Sequence, residues 1–116
     1  MAQQQNTINI SLSLSGGTFS AIFSKIKGKK KNSQISKLRQ LLSNEKARLL
    51  HTVKVKQPES VYRLAKLLNR DFKAVRHDIK LLENLGLIEL ISSHKNGRER
   101  LRPVVESDKI IITINI

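Results

Sequence analysis

Apolar and polar residues alternate without a break over residues 7–14, Thr-Ile-Asn-Ile-Ser-Leu-Ser-Leu. A period of two puts Ile8, Ile10, Leu12 and Leu14 on one face and predicts a half-buried strand. Ser15-Gly16-Gly17 ends it. Phe19, Ile22, Phe23 and Ile26 then fall at i, i+3, i+4 and i+7, which predicts a short helical stripe. Gly28 with Lys29-Lys30-Lys31-Asn32 reads as a basic hinge. Ser33 is positioned to cap a helix carrying Ile35, Leu38, Leu41 and Leu42. Ser43 or Asn44 caps the next helix, with Glu45 in its first turn and Leu49, Leu50 and Val53 facing inward. Gln57-Pro58-Glu59 breaks it.

The following thirty residues are the most legible. Ser60 is a helix cap, and Val61, Leu64, Ala65 and Leu68 form an i, i+3, i+4, i+7 stripe. Asn69-Arg70 is a tight turn, since asparagine tolerates the left-handed backbone that such turns use. Asp71 caps a second helix, whose inward stripe is Phe72, Val75, Ile79 and Leu82. Gly86, just past Leu85, is a C-terminal stop. Leu87 to Ile91 reads as a strand, and Ser92 to Glu99 as a loop containing Asn96-Gly97, the strongest short hairpin signal. Arg100 to Glu106 is the return strand, and Pro103 puts it at a sheet edge. Lys109 to Ile116 alternates again, with Ile110, Ile112, Ile114 and Ile116 on one side. Its last four residues, Thr-Ile-Asn-Ile, repeat residues 7–10. Both terminal strands need apolar cover, and we read them as the contact surface of a homodimer, by strand exchange or by side-by-side packing.

Charge changes this picture from scaffold to partner. The chain has 116 residues, 22 Lys plus Arg against 9 Asp plus Glu, and a formal net charge of +13. Residues 1–58 hold 11 of the basic residues and one acid, Glu45, whereas residues 59–116 hold 11 basic residues and 8 acids. The second half is a balanced globular surface and the first is an electrostatic arm. An imbalance of this size points to a polyanionic partner, nucleic acid first. With no Cys, disulfides and thiolate metal sites are excluded. The apolar runs are too short to span a membrane. The first residues lack a basic leader and apolar stretch, so a secretory signal is not expected. The expected location is the cytoplasm, at the nucleoid. His51, His77 and His94 have no metal-ligand spacing, and there is no phosphate-cradling Gly loop or nucleophile motif. Neither enzyme activity, a metal nor a cofactor is expected.

The helix starting at Asp71 carries Lys73, Arg76, His77, Lys80 and Asn84 on the side away from its apolar stripe. A B-DNA major groove admits one helix and offers guanine acceptors that Arg and Lys match. The first residues of such a helix reach base edges. Lys73, Ala74, Arg76 and His77 are therefore assigned to bases and Lys80 to a phosphate. Lys66 and Arg70 lie near phosphates, and Ser60 joins the same set at the start of the preceding helix. The hairpin tip, with His94, Lys95, Asn96, Arg98 and Arg100, can reach phosphates or the minor groove, where Arg is favoured. Lys25, Lys27, Lys29, Lys30 and Lys31 make a non-specific arm that adds affinity through counterion release. The competing reading of each feature is a solvated polar face, an ordinary turn and a solvated charge run.

The run from Ser60 to Ile88, SVYRLAKLLNRDFKAVRHDIKLLENLGLI, resembles prokaryotic winged-helix transcriptional regulators. It is most similar to the MarR-like regulators of archaea and bacteria, some of which act as antitoxins. Val75-Arg76, Asp78-Ile79, Leu82 and Gly86-Leu87-Ile88 also resemble the DeoR-type helix, with His77 where that type usually has Arg. The resemblance covers residues 44–106. It implies a helix-turn-helix with a β-wing, dimeric binding to double-stranded DNA at an operator, and repression. Asp71 to Leu85 would be the recognition helix and Ser92 to Arg100 the wing.

The expected fold is α+β: a winged helix-turn-helix over residues 33–116 that includes the C-terminal strand, preceded by an N-terminal strand and basic arm over residues 1–32. The expected function is that of a sequence-specific, dimeric transcriptional repressor. Two rivals stand beside it: a non-specific architectural or partition protein that coats DNA, and an antitoxin-like module whose target is a protein partner.

Overall fold

Strand alternation at both ends of the chain resolves into one sheet. The computed structural model describes residues 7–15, 18–25, 28–32 and 35–116. Its elements are β1 (Thr7–Ser15), β2 (Thr18–Lys25), β3 (Gly28–Asn32), α1 (Ile35–Leu41), α2 (Asn44–Lys56), α3 (Val61–Leu68), α4 (Phe72–Asn84), β4 (Glu89–Lys95), β5 (Arg98–Val104) and β6 (Lys109–Asn115). The fold is mixed α+β. The chain divides into two compact units, one formed by residues up to Leu42 together with Glu106–Ile116, the other by Ser43–Val105.

The first unit is a four-stranded sheet in the order β3-β2-β1-β6, with α1 lying against β2. β1 and β6 run parallel, in register from Thr7↔Lys109 to Ser13↔Asn115, so the terminal strands pair within one chain. Ile8, Ile10 and Leu12 are buried, and Asn9 on the alternate face is exposed, as a period of two requires. Leu38 and Leu41 of α1 are buried as expected, but Leu42 is exposed.

Two expectations fail in this unit. Residues 18–25 form a strand, not a helical stripe, and pair with β1 from Ser15↔Thr18 to Asn9↔Ser24. Phe19, Ala21 and Phe23 also alternate with Thr18, Ser20, Ile22 and Ser24, and pairing with β1 decides for the strand. The Gly16-Gly17 pair between two such runs is a hairpin signal in its own right. The supposed basic hinge is β3, antiparallel to β2 with Ile22↔Lys31 and Lys25↔Gly28. Ile26, Lys27 and Ser33 lie outside the described residues. The division at residue 32 also shifts, because β1 draws the C-terminal strand into its own sheet and α1 goes with it.

The second unit is built by its caps. Ser43 Oγ accepts from Lys46 N–H at 3.2 Å, Ser60 Oγ from Arg63 N–H at 3.0 Å, and the Asp71 carboxylate from Lys73 and Ala74 N–H at 3.1 and 3.3 Å. Each satisfies donors that the first helical turn leaves unpaired. At the other ends, Gln57, Asn69 and Gly86 take positive φ, and Arg70 N–H reaches back to the Ala65 carbonyl at 3.1 Å. α3 and α4 are thus joined by the three residues Asn69, Arg70 and Asp71. Leu49 and Val53 of α2, Leu64 and Leu68 of α3, and Val75, Ile79 and Leu82 of α4 form the core, with Ile88 leading into β4. Burying each large aliphatic side chain contributes about 1.5–3 kcal/mol.

Strands β4 and β5 pair from Glu89↔Val104 to Lys95↔Arg98, so the expected loop from Ser92 shrinks to the two residues Asn96-Gly97. Their φ angles of 54° and 75° match the type I′ turn that suits strand twist. An added Cβ at Gly97 would meet nothing within 4 Å, so only backbone strain opposes it. Gly97→Ala is expected to lower stability in urea denaturation by about 1 kcal/mol. An unchanged or raised midpoint would contradict this turn.

Candidate nucleic-acid interface

The outward side of α4 follows from its inward side. Val75, Asp78, Ile79 and Leu82 are buried, which turns Lys73, Arg76, His77, Lys80 and Asn84 toward solvent, with Ala74 half-buried at one margin. Three cations and a histidine therefore share one exposed helix surface that begins in the first turn after the α3–α4 connection. This is the set that sequence spacing groups together.

Phe72 departs from expectation. It was placed on the inner stripe, yet it is 38% exposed. The buried stripe is centred toward Asp78, which shifts Phe72, the first residue of the helix, to the margin. There its ring lies 6.4 Å from that of Tyr62, which is 59% exposed, and Lys66 Nζ sits 4.8 Å from the Tyr62 ring centroid. Such a cation over an aromatic face is attracted by the ring quadrupole. Sequence reasoning passed over Tyr62, although its position beside the stripe of Val61, Leu64, Ala65 and Leu68 already turns it outward.

Asp78 is the one buried charged side chain among the described residues. Arg70 Nη1 donates to its Oδ2 at 2.9 Å and Lys46 Nζ lies 3.5 Å from its Oδ1, while Arg70 Nη2 lies 3.4 Å from Glu45 Oε2. Arg70 was expected near a phosphate. Its guanidinium is instead engaged by two carboxylates, tying the α3–α4 turn to both α4 and α2. Ser60 is likewise half-buried and occupied as a cap. Lys66 keeps an exposed ammonium.

The β4–β5 hairpin adds a second basic edge. His94, Lys95, Asn96 and Arg98 are exposed around the turn and Arg100 is half-buried. The one acid of this tip, Glu99, accepts from Ser92 Oγ at 2.9 Å across the hairpin. Between α4 and the hairpin lies a cleft of about 280 Å³, where Phe72, Arg76 and Lys80 face Leu90, Arg100 and Leu101. Arg76, Lys80 and Arg100 therefore border a common space with apolar residues between them and one carboxylate, Glu99, on the hairpin side.

Of the lysine arm, Lys25 ends β2 and Lys29, Lys30 and Lys31 lie in β3; Lys27 falls outside the described residues. These lysines belong to the first unit and the α4–hairpin surface to the second. Among the described residues, no group of His, Asp and Glu could hold a metal ion, and no helix is long and apolar enough to cross a membrane.

The family model HVO_A0114 matches residues 41–112, more than half of the chain. The chain belongs to the HVO_A0114 family. The match takes in α2, α3, α4, the β4–β5 hairpin and the first part of β6. The HVO_A0114 match leaves out β1–β3 and with them the lysine run. No curated protein matches the chain.

Proposed function

We propose that residues 43–105 form a winged helix-turn-helix, with α4 as recognition helix and the β4–β5 hairpin as wing, and that the protein is a sequence-specific, dimeric transcriptional repressor. The observation that carries this reading is the exposed set Lys73, Arg76, His77 and Lys80 on α4, beside the basic hairpin across one cleft. Net charge supports it, and so does the resemblance of residues 60–88 to MarR-like regulators. Lys73, Ala74, Arg76 and His77 address base edges. Lys80, Lys66 and the hairpin residues Lys95 and Arg98 address phosphates, and Arg100 the nearby backbone or minor groove. Arg70 is withdrawn from that set, since it holds the turn. In a two-fold dimer the recognition helices meet half-sites about 34 Å apart. The protein then acts at the nucleoid.

The lysines of β2 and β3 favour a second term, affinity for any duplex through counterion release. The two are separated by binding to a duplex from immediately upstream of the protein's own gene and to a scrambled duplex of equal length, at two salt concentrations. Specific regulation requires a preference of roughly a thousandfold. Equal binding that falls steeply with salt replaces regulator with DNA-coating protein. Failure to bind either duplex at physiological salt replaces both with a protein-binding, antitoxin-like module.

A further inference from the structure

The two edges of the sheet in the first unit are chemically opposite. β3, at one edge, is Gly-Lys-Lys-Lys-Asn, and lysine on an edge strand deters further pairing. β6, at the other, is Lys-Ile-Ile-Ile-Thr-Ile-Asn. Its parallel partner β1 occupies one side only, so the backbone groups on the other side meet no strand among the described residues. Register sets Ile110 beside Ile8, Ile112 beside Ile10 and Ile114 beside Leu12. On β1 this apolar row is buried; on β6 the same row is 38%, 38% and 58% exposed. Ile111, on the other face, is 42% exposed. The apolar face thus runs past β1 and stops uncovered at a strand able to pair.

We infer that β6 is the homodimer surface, pairing antiparallel with β6 of a second copy to make one continuous eight-stranded sheet. A two-fold axis at Ile112 sets Ile112 opposite its own copy, Ile110 opposite Ile114 and Ile111 opposite Thr113. Every apolar residue of the row then meets another across the pair, at the spacing where cross-strand contacts stabilise a sheet. Self-complementarity of the row about Ile112 selects a second copy as the occupant, and charge is compatible with it. A second copy carries +13, and the lysines of β3 repel it. Between Lys109 and Asn115, β6 bears no charge, so a like-charged chain can approach there. An acidic protein or a nucleic acid would find no cation along that stretch to bind. This inference rests on the dimeric part of the function proposed above and supplies its contact surface.

The test uses the full chain. Because the protein has no Cys, a single introduced thiol reports one contact. Pairing about Ile112 brings the two Cα atoms within disulfide range, so Ile112→Cys is expected to oxidise to a covalent dimer at micromolar concentration. Leu42→Cys, exposed on the segment after α1, is expected to remain monomeric on the same gel. Sedimentation equilibrium of the unmodified chain is expected to give a dimer, and Ile114→Lys to raise its dissociation constant at least tenfold with an unchanged circular dichroism spectrum. A monomer at all concentrations, or a dimer indifferent to Ile114→Lys that does not cross-link through residue 112, overturns the inference. Duplex binding, measured separately on the unmodified chain, tests the DNA reading: a β6 dimer that ignores DNA defeats only that reading, and a DNA-binding chain that dimerises elsewhere defeats only this one.

Discussion

Asp78→Ala is expected to cost about 3 kcal/mol of unfolding free energy, near the lower end for loss of one member of a buried ion pair. The carboxylate is 9% exposed, and Arg70 and Lys46, at 21% and 13%, cannot turn fully to water when it is removed. Two cations would then stand in low-dielectric surroundings without their shared counter-charge. The loss also frees the α3–α4 turn from α2, because Arg70 bridges Asp78 and Glu45. Urea denaturation of the full chain measures the effect. A double-mutant cycle with Arg70→Ala should be clearly non-additive, since both substitutions break the same contact. A loss below about 1 kcal/mol would class the cluster with solvent-screened surface pairs. The proposed withdrawal of Arg70 from phosphate binding would then lose its ground.

Arg76→Ala is expected to weaken binding to the preferred duplex by roughly 1–3 kcal/mol, and to relax preference at one base pair. Arg76 projects from α4 between the helix surface shared with Lys73 and His77 and the cleft shared with Arg100. Its planar, rigid guanidinium fork can match the two guanine acceptors at once. Lys80→Ala should behave differently, weakening all duplexes alike and lowering the salt slope by about one. Competition binding against a panel of single-base variants separates the two. Uniform weakening by Arg76→Ala would reassign it to a phosphate.

What the residues declared in advance was mostly local. Ser60, Asp71, Asn69, Gly86 and Asn96-Gly97 each act through their own backbone or that of residues a turn away, so their roles are readable without a fold. The outward set on α4 was legible because 3.6-residue periodicity fixes it once the inner stripe is known. The failures involve long-range partners. Eight residues from Thr18 satisfy both helical spacing and alternation, and only pairing with β1 decides between them. Lys29 to Lys31 look like a solvated run until β2 gives them a ladder. Phe72 falls on the inner stripe by spacing alone, and the burial of Asp78, which Arg70 and Lys46 reach from other elements, centres that stripe away from it. Arg70 follows the same logic: its charge suggests a phosphate, while the Asp78 and Glu45 carboxylates that engage it arrive from other elements.

If copies join through β6 as proposed, the lysines of β3 set the valence of the molecule. A sheet with two permissive edges adds copies head to tail and grows into a fibre. Here one edge is permissive and the other repels its own kind, so joining two β6 strands uses up the permissive edges of both copies. In the proposed dimer the joined sheet would end on β3, with Lys29-Lys30-Lys31, at each outer edge. A run of charge suited to holding polyanions would then also work as a terminator, closing the proposed assembly at two.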